Sequence, residues 1–184
     1  MTERYPELNY DDLTPEQKIL ADRILKFSMN GLRGPWSVLM RSPVLGGLIL
    51  DLGDHLRFST GIDDRLLELA ILTHARCRDD QYEWKAHYPR ALDCGLSVEI
   101  AEAIRRGEEP KNMQADEALV YDFARQISAN NAVNDQTFAK AKDMLGEEGV
   151  TTLIIFLGQY AMVSTFLAAG EVKLPDNGAP LLEL

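Results

Sequence analysis

Apolar residues recur along most of the chain at intervals of three or four positions, the spacing of one face of an α-helix. The first such stretch places Leu20, Ile24 and Phe27 on one face, and its expected end is Asn30-Gly31. The preceding segment Thr14–Gln17 has the pattern of a capping box with proline in the first turn. No stretch alternates apolar and polar residues with a period of two. The pattern therefore predicts an all-α fold.

Capping residues and glycines divide the remainder of the chain into further helices. The clearest loop is expected over residues 108–112, which contain Pro110. Helices are expected from Ser42-Pro43 to Leu56, from Asp63 to about Ala75, from Asp79-Asp80 to Cys94-Gly95 and from Ser97 to Gly107, and then around Leu119, Phe123 and Ile127, around Phe138, Ala141 and Leu145, and over Val150–Ala169.

The last stretch, Val150–Ala169, contains no charged residue and is long enough for a membrane span. It includes several polar residues, acidic residues flank it, and neither end has the basic or aromatic belt of a spanning helix. We therefore expect no membrane span here. The run predicts a helix buried on all sides, against its own domain and against a second subunit.

The length and net charge of the chain exclude some classes of function. The chain has 184 residues, with 19 Lys and Arg against 29 Asp and Glu, and a net charge of −10. That length favours a single domain, and the acidic balance argues against binding to nucleic acid or to an anionic membrane. An anionic substrate would need locally placed basic groups.

The two cysteines, Cys77 and Cys94, are too few for a disulfide scaffold and too far apart for a C-x-x-C redox pair. The first residues are polar and acidic, unlike a signal or transit peptide, so a cytoplasmic location is expected. The three histidines, His55, His74 and His87, show no metal-binding spacing, and there is no nucleophile elbow or P-loop. We therefore expect no metal site.

Glu68 is the only charged residue within 66–72, a window that is apolar in every direction around the helix. A buried carboxylate needs a partner, or it takes up a proton to avoid the cost of desolvation. Replacing it with Gln would then be neutral or favourable for stability. Alternatively, Glu68 lies on a solvated stripe or pairs with Arg65 or Arg76.

Glu83 and His87 are four residues apart, so their side chains share one face of the predicted helix. A carboxylate next to an imidazole fixes its tautomer and raises its pKa, which suits proton transfer. Pro89 follows closely and is expected to bend the helix near His87. The alternative is an ordinary surface pair that contributes a few tenths of a kcal/mol.

Three segments together resemble the carboxymuconolactone decarboxylase family, which includes the alkylhydroperoxidase D-like proteins. They are Arg65-Leu-Leu-Glu68-Leu-Ala-Ile-Leu, Tyr82-Glu83-Trp84-x-x-His87 and Ala91-x-x-x-Gly95-Leu-Ser97. The resemblance implies an oligomeric, single-domain helical bundle whose subunits assemble as trimers or hexamers. It covers residues 34–175, which leaves a helical extension over 1–33 and an irregular tail over 176–184.

The alkylhydroperoxidase branch of this family carries a C-x-x-C motif before the histidine, and those positions fall here on Asp80 and Glu83. With the thiols absent, the chain resembles the decarboxylase side of the family, which acts on lactones and small carboxylated acids without a cofactor. The implied catalytic residues are Glu68, Glu83 and His87, with His87 as proton donor and Glu68 to orient it or to store a second proton. Trp36, Phe58, Trp84 and Tyr160 are expected to form the apolar walls, with Arg57 or Arg33 holding a substrate carboxylate.

Two other functions remain open from the sequence. One is a peroxidase of the alkylhydroperoxidase or peroxiredoxin type, with Cys77 or Cys94 as an unusual reactive thiol. The other is a non-enzymatic helical assembly that binds a small molecule, because a fold does not fix a function.

Overall fold

The computed structural model describes residues 4–28 and 31–184, and within those ranges the chain is helical with no β-strand. The all-α prediction is therefore confirmed. A short 3₁₀ helix at Tyr10–Asp12 comes first, and the α-helices are α1 (Pro15–Ile24), α2 (Pro35–Leu39), α3 (Pro43–Phe58), α4 (Asp64–Cys77), α5 (Gln81–Asp93), α6 (Val98–Arg105), α7 (Ala115–Asn130) and α8 (Asp135–Gly170).

Side-chain caps start the helices where the sequence predicts. Thr14 and Gln17 exchange both hydrogen bonds of the capping box at α1. Asp63 accepts a hydrogen bond from the Arg65 backbone N–H at α4, and Asp80 accepts two from the first turn of α5. These caps satisfy N–H groups that have no partner inside the helix.

The end of α1 differs from the prediction. The helix stops at Ile24 rather than at Asn30-Gly31, and Asn30 lies outside the described residues. Ile24 is the last fully buried residue of the helix, whereas Leu25 and Phe27 are exposed. With these two apolar side chains largely in solvent, little burial compensates the cost of continuing the helix.

The helix α4 is central, because ten consecutive residues from Leu66 to Ala75 are buried. It packs against α5, α6, α7 and α8. One apolar cluster lies between α4, α7 and α8, and a second between α4, α5 and α6. A third cluster joins α1 and the segment around Leu13 to α3.

The helix α8 contains a break at Gly146, whose φ of 71° and ψ of 175° are not helical. A positive φ favours glycine, which has no Cβ to clash with the backbone. The helix predicted around Phe138, Ala141 and Leu145 and the helix predicted over Val150–Ala169 are thus the two arms of one long element.

The second arm of α8 buries one face and exposes the other. Phe156, Tyr160 and Leu167 face the protein, whereas Ile154 and Ile155 are exposed. Burial against the chain's own domain is therefore present on one face of α8, and the predicted burial of the other face requires a second subunit. Among the described residues α8 is the one helix long and apolar enough to cross a membrane, which is weak evidence because core helices pass the same test.

We expect the chain to assemble into three or more subunits, because apolar stripes on α3 and α8 are exposed. Leu48 on α3 is 62% exposed, and Val44, Leu45, Ile155 and their neighbours are similarly unburied. Such stripes mark interaction surfaces. Light scattering at low micromolar concentration should show the oligomer, and Leu48→Asp should shift it towards monomer.

Val98→Asp is the matched control, since Val98 is an exposed apolar residue on α6, away from these stripes. It should leave the assembly unchanged. A monomeric wild-type protein with α8 intact would contradict the expectation.

The tail over 176–184 is irregular, as predicted, but it is held against the protein. Leu182 is buried, and its backbone N–H donates to Gln81 Oε1 at 2.9 Å. The Trp84 indole N–H donates to the Pro180 carbonyl at 3.0 Å. The tail therefore covers α5 on the side away from His87.

Candidate functional site

Glu68 is completely buried on α4 and contacts three basic side chains. Its Oε2 lies 2.7 Å from His87 Nδ1, and its Oε1 accepts a hydrogen bond of 2.9 Å from Arg57 Nη1. Arg90 Nε forms an ion pair with the same Oε1 at 2.9 Å. Glu68 therefore connects α4 to α3 and to α5.

The two arginines considered from the sequence as partners of Glu68 are engaged elsewhere. Arg65 forms ion pairs with Asp116 and Glu117 at the start of α7. Arg76 donates to the Glu183 carbonyl in the tail. The residues that do contact Glu68 are distant from it in sequence, because they lie on α3 and α5.

The charge of Glu68 follows from these contacts. Burial alone would raise its pKa, but the neighbouring His87 and Arg57 outweigh burial and lower it to about 2. Glu68 is thus ionised near neutral pH. The expectation that it stores a proton is not supported, because the cationic neighbours stabilise the carboxylate.

His87 lies between two carboxylates. Nδ1 faces Glu68, and Nε2 is 3.3 Å from Oε2 of Glu83, one helical turn earlier on α5. Burial alone would lower the pKa of His87, but Glu68 and Glu83 outweigh burial and raise it above its ordinary value. The imidazolium form, with one N–H towards each carboxylate, is therefore favoured. The helix continues through Pro89 to Asp93.

Arg57 and Tyr160 complete the cluster from α3 and α8. Arg57 Nη2 donates to the Tyr160 hydroxyl at 2.6 Å, and the Tyr160 ring meets the His87 ring edge-on at a centroid distance of 5.3 Å. Burial raises the pKa of Tyr160, so the phenol keeps its proton. Since its oxygen accepts from Arg57, that proton is available for donation to a bound molecule.

Arg57, which the sequence analysis expects to hold a substrate carboxylate, already makes two hydrogen bonds within the cluster. Its Nη1 donates to Glu68 and its Nη2 to Tyr160. The other candidate, Arg33, pairs with Glu7 at 3.0 Å. The basic residue that the sequence analysis missed is Arg90, three residues after His87 and so on the same face of α5.

The remaining candidate wall residues lie elsewhere. Trp84 is completely buried in the cluster between α4, α5 and α6, because it is adjacent to Glu83 and points to a different side of the helix. Trp36 packs edge-on against Phe27 at 5.7 Å, and Phe58 is 71% exposed. Tyr160 is thus the predicted aromatic that contacts His87.

Neither cysteine has the features of a reactive thiol. Burial raises the pKa of Cys77 and of Cys94, which disfavours the nucleophilic thiolate. At the positions where the alkylhydroperoxidase branch has cysteines, Asp80 caps α5 and Glu83 contacts His87. Within the described residues no group of three or more His, Cys, Asp or Glu side chains is arranged to hold a metal ion.

Comparisons with known proteins bear on the fold. Neither a protein-family model nor a curated protein matches the chain. A solved structure described as an alkylhydroperoxidase AhpD core, an uncharacterized peroxidase-related protein from Ralstonia eutropha JMP134, matches with a TM-score of 0.75 and 12% identity. The match covers 95% of this chain and 93% of that one. This chain therefore has the alkylhydroperoxidase D-like fold, and a fold match at this identity does not extend to activity.

Proposed function

We propose that the protein is a cofactor-free acid–base enzyme that decarboxylates a small carboxylated or lactone-type metabolite. The observation that carries the proposal is the position of His87, with a carboxylate at each ring nitrogen. The Tyr160 hydroxyl, held by Arg57, adds a second acidic group next to it. Together these groups supply a proton and a hydrogen-bond donor without any thiol or metal ligand.

A decarboxylation of this kind requires two groups from the protein: a hydrogen-bond donor and a proton donor. When the bond between carbon and carboxylate breaks, carbon dioxide leaves, and the electron pair moves to a conjugated carbonyl of the substrate, which becomes an enolate. The enolate oxygen then needs a hydrogen-bond donor, and the carbon needs a proton. In this proposal Tyr160 donates to the oxygen, His87 protonates the carbon, and a proton from water restores His87.

The two contacts of His87 indicate which proton it gives away. The Nδ1 contact with Glu68 is 2.7 Å, within the usual range of a charge-assisted hydrogen bond, whereas the Nε2 contact with Glu83 is 3.3 Å. The proton on Nε2 is therefore bound less tightly by its carboxylate neighbour than the proton on Nδ1. Glu68 therefore positions the ring, and Nε2 is the donor.

The test is turnover in deuterated water. Purified protein, treated with a chelator, is incubated with a panel of carboxylated lactones and conjugated keto acids, and released carbon dioxide is measured. The proposal expects one equivalent of carbon dioxide per turnover and one deuterium at the carbon that lost the carboxylate. Carbon dioxide release that requires added metal, or no release from any panel member, would contradict it.

The solved structure matched by its fold is described as peroxidase-related, so a thiol peroxidase is the second candidate. We expect the double replacement of Cys77 and Cys94 by Ala to leave the decarboxylase turnover within a few-fold of wild type. Neither thiol takes part in the cluster around His87, and the cost should be about 1–2 kcal/mol of stability.

Peroxide consumption by the wild-type protein is the companion measurement, with sulfenic acid detected by mass spectrometry. Loss of all turnover in a folded double variant, or rapid catalytic reduction of peroxide by wild type, would favour the peroxidase instead.

A further inference from the structure

Arg90 links the buried carboxylate of the site to solvent. Its Nε lies 2.9 Å from Glu68 Oε1, yet its side chain is 42% exposed. The side chains of Arg57 and His87 are 14% exposed, and that of Glu68 is 1% exposed. Of the groups in contact with Glu68, Arg90 is therefore the one that an incoming molecule reaches first.

The two arginines that contact Glu68 differ in whether their Nη atoms already have hydrogen-bond acceptors. Arg57 has Nη1 on Glu68 and Nη2 on Tyr160. Arg90 contacts Glu68 through Nε, and in the described part of the chain neither of its Nη atoms is paired with an acceptor. The two Nη groups of a guanidinium present parallel N–H donors that match the two oxygens of one carboxylate.

The charges of the cluster also favour an anion. Two guanidiniums, those of Arg57 and Arg90, meet the single carboxylate of Glu68. The chain as a whole carries a net charge of −10, so this local basic excess opposes the field of the protein. An anionic ligand needs such a local excess to be attracted to an acidic protein.

We infer that Arg90 is the anion receptor of the site, binding a ligand carboxylate end-on through Nη1 and Nη2 while Nε stays on Glu68. Because a guanidinium stabilises a carboxylate relative to neutral carbon dioxide, this position suits a carboxylate that the reaction keeps. The inference rests on the proposed function only for the location of the site. Arg90 would then determine specificity, whereas Arg57 positions Tyr160.

The test measures binding and needs no turnover. Acetate and benzoate are titrated into the protein at constant ionic strength, with chloride as the reference anion, and the ring nitrogen signals of His87 and the Arg90 Nε–H signal are followed by NMR. We expect saturable shifts with the carboxylates, a dissociation constant at least 10-fold weaker in Arg90→Gln, and weaker binding in Arg90→Lys, which keeps the charge but loses the fork.

Arg125→Gln is the matched control, since Arg125 is half exposed and pairs with Asp122 on α7. It should bind the carboxylates as wild type does, and a thermal melt verifies that each variant is folded. Equal affinity in Arg90→Gln and wild type, or wild-type shifts that follow chloride without saturating, would overturn the inference. Saturable Arg90-dependent binding without carbon dioxide release would contradict the proposed function alone.

Discussion

Replacing His87 with Gln is expected to lower turnover by about 10²-fold or more, the usual contribution of a positioned general acid. The glutamine side chain can still hydrogen-bond to Glu68, but it has no proton to give to a carbon atom. The variant should still fold, because the ion pairs of Glu68 with Arg57 and Arg90 do not involve residue 87. The measurement is the rate of carbon dioxide release from the panel compound that the wild type decarboxylates.

His55→Gln is the control for this experiment, since His55 is exposed near the end of α3. Its turnover should equal that of wild type. A His87→Gln protein with nearly full turnover would remove His87 from the mechanism. If neither protein turns over any compound and both bind carboxylates equally, the non-enzymatic binding assembly becomes the better description.

Replacing Glu68 with Gln is expected to lower the free energy of unfolding by about 3–5 kcal/mol, the usual cost of removing one partner from a buried ion pair. The carboxylate faces His87, Arg57 and Arg90 from a completely buried position. An amide would leave Arg57 and Arg90 without their carboxylate partner, and His87 would keep only Glu83. Urea unfolding of the wild type and the variant gives the difference directly.

The difference in free energy of unfolding between wild type and Glu68→Gln should depend on pH, because it arises from the charge of Glu68. The pKa of Glu68 is lowered from 4.5 to about 2, so its stabilisation is fully present above about pH 4.5 and is lost as the pH falls towards 2. A shift of that size corresponds to about 3 kcal/mol, at about 1.4 kcal/mol per pKa unit. The stability gap between wild type and Glu68→Gln should therefore shrink over this range.

Glu109→Gln serves as the matched control, because Glu109 is exposed in the loop before α7. It should change stability by less than about 0.5 kcal/mol. A Glu68→Gln protein as stable as wild type, or a gap that does not change between pH 4.5 and pH 2, would show that the buried carboxylate is not stabilised by its neighbours. Equal stability of the two proteins is the result that the sequence alone allowed, since replacing a buried charge with Gln can be neutral or favourable.

The sequence by itself determined the helices and most of their boundaries. Caps such as Asp63 and Asp80 act on N–H groups two or three residues away, so their effect depends on neighbouring residues only. The pairing of Glu83 with His87 is of the same kind, because one helical turn separates them. The break at Gly146 is likewise a property of a single glycine.

Only the tertiary structure decided what surrounds His87. Arg57, Glu68 and Tyr160 come from α3, α4 and α8, and their meeting depends on how those helices are rotated and packed. The same rotation directs Trp84 into the core, although the adjacent Glu83 contacts His87. The sequence left the charge state of Glu68 open for this reason, because its pKa depends on partners from other helices. Residue spacing along one helix is fixed by the chain, whereas contacts between helices arise from the packing of all their faces together.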